Sequence, residues 1–200
     1  MDLRIEKLKR KDLRHVLPIE AVVFPEPWSV GVFHSELALR HGRLYRAAWH
    51  GDDMAGYIGF MIVGDEAHVT TIATAPAYQR RGVASTLLID GIHSLLPLGV
   101  RHLSLEVAAN NEPAQTLYRR FGFAPVGVRK NYYPVTGEDA LVMWAYDIDT
   151  PEYAERLEEL TPSQSLSGSP TEGDTPRHRP FRQPAPRARK RANGAPGHDL

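Results

Sequence analysis

The stretch that decides the fold is HVTTIATAPAYQRRGVASTLLIDGIHSLL, residues 68–96. It opens as a β-branched strand, His68 to Thr74, and breaks at Pro76. A polar loop, Gln79-Arg80-Arg81-Gly82, follows. From Val83 to Leu96 the apolar residues recur at helical spacing, with Val83, Leu87, Leu88 and Ile92 on one stripe. A strand that feeds a helix through a short glycine-containing loop is the first half of a βαβ unit. His102 to Ala108 supplies the next strand, with Leu103, Leu105 and Val107 alternating toward one face. Pro113 to Phe121 then reads as a helix ending at Gly122.

Upstream, Leu3–Leu8 alternates like a strand. Asp12 is a candidate N-cap for a helix from 13 to about 22, and Ser29 for a second helix up to about Arg40. Leu44–Trp49 and Ala55–Val63 read as strands joined at Gly51-Asp52-Asp53, with a further turn at Gly64-Asp65. Downstream, Ala124–Lys130 and Ala140–Ile148 read as two more strands. Meandering strands followed by a βαβ crossover predict an α/β protein: a central mixed sheet flanked by helices.

The chain has 200 residues, 42% of them hydrophobic and 24% charged, with no formal net charge and no cysteine. The lack of thiols excludes a disulfide scaffold, a thiolate metal site and a cysteine nucleophile. No apolar run approaches the roughly 18 residues of a membrane span, and the charged start MDLRIEKLKRKDL lacks the core of a signal peptide. A cytoplasmic protein without membrane partners is expected. The neutral total hides an asymmetry: residues 161–200 carry seven Arg/Lys against three Asp/Glu, a net +4, leaving −4 for the remainder. The same forty residues hold seven Pro and four Gly, too little apolar surface to offset ordering. We expect a folded domain over 1–150 and a disordered Pro/Arg-rich tail over 151–200, in which PEYAERLEEL (151–160) is either a short helix or the approach to the tail. The basic cluster Arg187, Arg189, Lys190, Arg191 lacks interleaved aromatics, so nucleic-acid binding beyond weak attraction is not expected.

The loop at Gln79–Gly82 suits a diphosphate. Gly82 and Ala84 allow close approach, Arg80 and Arg81 add charge, and the amides of Val83, Ala84 and Ser85 stand at a helix N-terminus. The same sequence also fits an ordinary strand–helix connection. It is neither a Walker loop nor a GxGxxG loop. The nine histidines show no ligand spacing, so no metal is expected.

Taken together, Gln79-Arg80-Arg81-Gly82-Val83-Ala84, Leu105-Glu106-Val107, Asn110-Asn111, Leu117-Tyr118 with Phe121-Gly122-Phe123, and Asn131-Tyr132-Tyr133-Pro134 resemble the GCN5-related N-acetyltransferase (GNAT) superfamily over about residues 3–148. With Phe24-Pro25 and Pro27-Trp28-Ser29, they are most similar to its RimI-type branch, which acetylates the N-terminal alanine of a small-subunit ribosomal protein. The branch reads Phe-Pro-Trp-Ser without interruption, whereas here Glu26-Pro27 is inserted. Thr74 also stands where an apolar residue is commoner, and the tail has no counterpart.

The resemblance implies acetyl-CoA as cosubstrate, a protein N-terminus (of a ribosomal protein) as partner, and direct attack in a ternary complex. It implies Glu106 as general base and Tyr118 as general acid. Alternation alone turns Glu106 away from the Leu103/Leu105/Val107 face, which equally fits a solvent-facing residue. Ile72, Ala73 and Thr74 would offer backbone groups to the pantetheine arm where their strand splays from its neighbour. Gln79 to Ser85 would hold the pyrophosphate. Asn111 would contact the cofactor, or cap the next helix. Trp28, Glu66, Tyr132 and Tyr133, with Asp65, are candidates for the acceptor site. Alternative readings are an acetyltransferase of a small amine such as a polyamine or aminoglycoside, and a non-catalytic coenzyme A-binding module.

Overall fold

The computed structural model describes residues 1–161; the expected tail beyond them, with its basic cluster, lies outside the described residues. In chain order the elements are β1 (Arg4–Lys7), α1 (Leu13–Val23), α2 (Val30–Ala38), β2 (Arg43–His50), β3 (Asp53–Val63), β4 (Glu66–Thr74), α3 (Val83–Leu95), β5 (His102–Ala108), α4 (Glu112–Arg120), β6 (Ala124–Tyr133), β7 (Glu138–Ala145) and α5 (Pro151–Leu160). The strands form one seven-stranded sheet, ordered β1-β2-β3-β4-β5-β7-β6. All neighbours are antiparallel except β4 and β5. This is the expected mixed sheet, its parallel pair made by the crossover through α3.

Alternation along the strands builds two cores, one on each sheet face. Ala48, Ile58, Phe60, Leu103 and Leu105 pack with Leu87, Leu88 and Ile92 of α3. Ala47, Trp49 and Tyr57 pack with Leu13, Val16 and Ile19 of α1 and Phe33 of α2. Ser29 caps α2, its hydroxyl accepting from Val32 N at 3.3 Å. Asp12 does not cap α1 as expected. Its carboxylate accepts from Lys9 N at 2.9 Å, securing the 3-10 turn that leads into the helix.

Two irregularities mark β4. Gly59 pairs with Thr71 and Phe60 with Val69, so Thr70 is an extra residue, a bulge. Ala67 and Val69 before it face the α3 core, whereas after it Ala73 faces the α1/α2 core; the bulge has exchanged the two faces. The parallel ladder to β5 is also short. It joins Glu66 to His102, Ala67 to Leu103 and His68 to Ser104, then stops. Beyond His68 the two strands run on without pairing, while β4 still pairs with β3 and β5 with β7. The sheet therefore opens into a gap toward Thr74 and Ala108.

The expected boundary at 150 is corrected. The segment 151–160 is helical, with Tyr153 and Leu157 buried in the α3-side core. Thr150 Oγ1 accepts from Tyr153 N at 3.3 Å and so caps α5. The Tyr153 hydroxyl donates to Phe121 O at 2.7 Å, tying α5 to the end of α4. The apolar pair at i, i+4 packs where the polar remainder of the segment faces solvent.

Candidate active site

One end of the gap is walled by the loop before α3. Arg80 and Gly82 both have positive φ, 59° and 84°, which turns successive amides toward one side as in an anion-binding nest. The helix ladder opens with Thr86 N donating to Gly82 O at 2.9 Å. The amides of Val83, Ala84 and Ser85 therefore point out of the helix end. The Val83 side chain is buried and anchors the turn. A Cβ built on Gly82 would meet nothing within 4 Å, so the space beside this N-cap residue is open. Arg80 and Arg81 are exposed beside it. Gln79 is exposed, its Nε2 donating to Thr74 O at 3.5 Å. These donors and cations fit a pyrophosphate.

The edge of β4 supplies the next part. Ala75 N donates to Ala55 O at 2.9 Å, and successive residues of a strand direct their backbone groups to opposite sides. Ala73 therefore bonds toward β3, whereas Ile72 and Thr74 aim N–H and C=O across the unpaired gap. Of the three expected residues, two offer backbone there, and Ala73 contributes a methyl to the α1/α2 core.

Across the gap stands Glu106. It projects opposite to Leu103, Leu105 and Val107, as alternation requires, yet its side chain is only 9% exposed. Its Oε2 lies 2.9 Å from His68 Nε2, and its Oε1 lies 3.0 Å from an Arg129 guanidinium nitrogen on β6. His68 Nδ1 sits 3.0 Å from Ser104 Oγ. Burial pushes the His68 imidazole below its ordinary value; Glu106 pulls it up, and Arg129 pushes it down. An ionised carboxylate only accepts, so Nε2 carries the proton of neutral His68 and Nδ1 accepts from the Ser104 hydroxyl. His68, Ser104 and Arg129 were not expected from sequence; the register that joins them is a tertiary fact.

Tyr118 of α4 is buried in the α3-side core, its ring 5.8 Å from Phe123. Burial, and then Tyr133, push its phenol well above the usual range, so it holds its proton at neutral pH. Burial likewise pushes Tyr133 up to about 12, with Tyr132 and Glu106 adding to the shift. Tyr133 thus bears on Tyr118, and Glu106 on Tyr133. Gln115, unremarkable in sequence, is buried one turn before Tyr118. Its Nε2 donates to Ala108 O at 3.1 Å and Ala109 O at 3.0 Å, fixing α4 to the end of β5. Asn111 is the N-cap of α4, its Oδ1 accepting from Ala114 N at 3.1 Å.

The opposite wall comes from the α1–α2 loop and the β6–β7 hairpin. Trp28 N donates to Glu20 Oε2 at 2.8 Å, and Tyr57 donates its hydroxyl to Glu20 Oε1. Glu20 is 1% exposed, and burial pushes its carboxyl up. The Trp28 ring rests 5.4 Å from Phe33. The inserted Glu26 reaches across: its Oε1 accepts from Val135 N at 2.9 Å. Asn131, at φ 50°, bulges β6 and donates its amide to Asp139 at 2.9 Å. Beyond it Tyr132 and Tyr133 meet edge to face at 5.1 Å, and Arg129 lies 5.6 Å over the Tyr132 ring. Glu66 shares the face of His68 but stands at the closed end of the gap, about 6.6 Å along the strand. Asp65 serves the turn, its carbonyl accepting from Arg101 N and His102 N. Among the described residues no His, Asp and Glu cluster could hold a metal, and no helix is long and apolar enough to cross a membrane.

A sheet split beside a helix N-terminus, with a carboxylate facing the split, is the arrangement of an acyl-coenzyme A-dependent transferase. Residues 13–123 match the acetyltransferase (GNAT) family, and the chain belongs to it. Over 140 residues it is 40% identical to a Bacillus subtilis protein named putative ribosomal protein bS18-alanine N-acetyltransferase, covering 70% of this chain and 93% of that one. It is 38% identical over 141 residues to the Escherichia coli ribosomal protein bS18-alanine N-acetyltransferase, covering 70% and 94%. The crystal structure of the ribosomal-protein-S18-alanine N-acetyltransferase from Escherichia coli superposes with a TM-score of 0.68 at 35% identity, over 73% of this chain and 94% of that one.

Proposed function

We propose that the chain transfers an acetyl group from acetyl-CoA to the N-terminal α-amine of a protein, the N-terminal alanine of ribosomal protein bS18 being the acceptor its relatives name. The observation that carries the reading is Glu106, a nearly buried carboxylate facing the unpaired edge of β4. Neither the small-amine reading nor the non-catalytic module is favoured by these relatives.

The thioester supplies the acetyl group, and the chain's residues do the rest. The amides of Val83, Ala84 and Ser85, with Arg80 and Arg81, hold the pyrophosphate. Ile72 and Thr74 pair with the amides of the pantetheine arm. Asn111 belongs beside the cofactor, through the helix end it caps. An α-ammonium has a pKa of about 7.7–8.0 against about 10.4 for lysine, so Glu106 takes its proton at modest cost. Tyr118, protonated at neutral pH, delivers a proton to the departing thiolate. Attack is direct, since the chain has no cysteine to carry an acyl group. Trp28, Tyr132 and Tyr133 wall the first residues of the peptide, and Glu66 offers a carboxylate farther along the same face. A cytoplasmic location completes the reading.

Mass spectrometry on two peptides tests it. One begins with the alanine sequence of the host bS18; the other is the same peptide, N-terminally blocked and carrying an internal lysine. Acetylation of the free alanine alone supports the reading. Modification of the lysine, or of neither peptide with coenzyme A still bound, contradicts it.

A further inference from the structure

We propose that His68 is a positioning residue for Glu106: in its neutral form, held by Ser104, it aims the carboxylate that takes the proton, and protonating it switches that base off. The inference rests on the reading above and extends it to a residue that none of the family motifs includes.

The geometry leaves Glu106 few ways to stand. Each oxygen has one cationic or N–H partner, Arg129 on Oε1 and His68 on Oε2. The two differ in kind. Arg129 is more than half exposed, on an edge strand, and permanently charged; it can swing out as an ammonium enters. His68 is three-quarters covered, and its strand position is fixed by the pairing of His68 with Ser104. It lies on the last paired rung before the gap opens, so it reports and fixes where the split begins. Ser104 accommodates the tautomer. With the ring proton on Nε2 facing the Glu106 carboxylate, Nδ1 accepts from the Ser104 hydroxyl, 3.0 Å away, which can rotate to donate.

In the productive step the N–H bond of the α-ammonium breaks and an O–H bond forms on Glu106. A neutral His68 leaves the carboxylate basic enough to accept. An imidazolium changes the balance: Glu106 then faces two cations, Arg129 and His68, and competes poorly for a third. The groups bearing on His68 are Glu106 from β5 and Arg129 from β6, with Glu66 two residues away on its own strand. Activity should therefore fall on the acid side as His68 takes up its proton.

The test compares wild type, His68→Ala and His68→Gln, using the alanine peptide and recording kcat and KM against pH, with melting curves for each. Gln places a non-titrating N–H donor where Nε2 stood. The expected result is a kcat loss of about tenfold for His68→Ala at pH 8 with KM for acetyl-CoA unchanged. Most of it should be recovered in His68→Gln, whose acid limb should lie roughly half a pH unit or more lower than wild type. Wild-type kcat and acid limb in both variants, or equal losses with an unmoved limb, overturn the proposal. If wild type acetylates neither peptide, the functional reading fails by itself. An NMR titration of His68 then decides: Glu106→Gln should lower its midpoint, and an unchanged midpoint overturns the pairing.

Discussion

Gly82→Ala separates the cost of a strained backbone from the cost of a blocked anion site. Gly82 sits at φ 84°, and a methyl there meets no protein atom within 4 Å. The stability penalty is then conformational alone, roughly 1–2 kcal/mol for a left-handed non-glycine residue. In a domain of this size that lowers Tm by roughly 3–6 °C. The binding penalty comes from the same methyl, which stands at the N-cap of α3, next to the Val83, Ala84 and Ser85 amides. Holding a pyrophosphate off these donors forfeits about 2 kcal/mol of charge-assisted hydrogen bonding, about 30-fold in Kd. Gly64 provides the control. It has φ 64°, also meets nothing within 4 Å, and lies in the β3–β4 turn at the far end of β4 from the gap. Calorimetric titration with coenzyme A should show weakened binding in Gly82→Ala and wild-type binding in Gly64→Ala, with similar drops in Tm. Wild-type affinity in Gly82→Ala, or equal loss in both, refutes the assignment of the loop.

Further outcomes follow from named contacts. Glu20→Ala strands the Trp28 amide and the Tyr57 hydroxyl; it should cost about 2–4 kcal/mol in urea unfolding and raise KM for the peptide while leaving that for acetyl-CoA alone. Leu157→Ala opens a cavity under α5, where the side chain is 2% exposed, for about 2–4 kcal/mol. Truncation after residue 150 should lower Tm further, by uncovering the same surface and removing the Tyr153–Phe121 bond. His68 is held neutral by burial, its folded value lying below the unfolded one of about 6.5. The unfolded chain therefore takes up a proton first as pH falls, so stability is complete above pH 7 and declines below about 6.5 until the folded value is passed. Urea melts between pH 7.5 and 5 should show a shallower decline in His68→Gln.

The sheet and its helices were legible because each rests on local periodicity; for Glu106, alternation gave only the direction of the side chain, and its proposed role came from the resemblance. The strand of Glu106 alternates without interruption, and the helix after Gly82 has an unbroken stripe. The split was not legible from the residues alone. It depends on a parallel ladder that stops after His68 and Ser104, and on a bulge at Thr70, a residue ordinary for any strand. Glu20 and Gln115 are polar residues in helices, which commonly face water; their burial follows from what the neighbouring loops lack, namely acceptors for Trp28 N and donors for Ala108 O and Ala109 O. Asp12 turned backward because the preceding 3-10 turn offered an amide first. The packing of α5 was legible in Tyr153 and Leu157, spaced one turn apart, but the polar residues around them and the adjoining Pro-rich segment masked it.

The account stands on Glu106 as the proton acceptor at the mouth of the split sheet. Glu106→Gln keeps the shape and removes the base, so it should bind coenzyme A with wild-type affinity by calorimetry while kcat on the alanine peptide falls by about 10²–10⁴-fold. A kcat within a few-fold of wild type would contradict the account, because the residue that faces the gap would then not be the one that takes the proton.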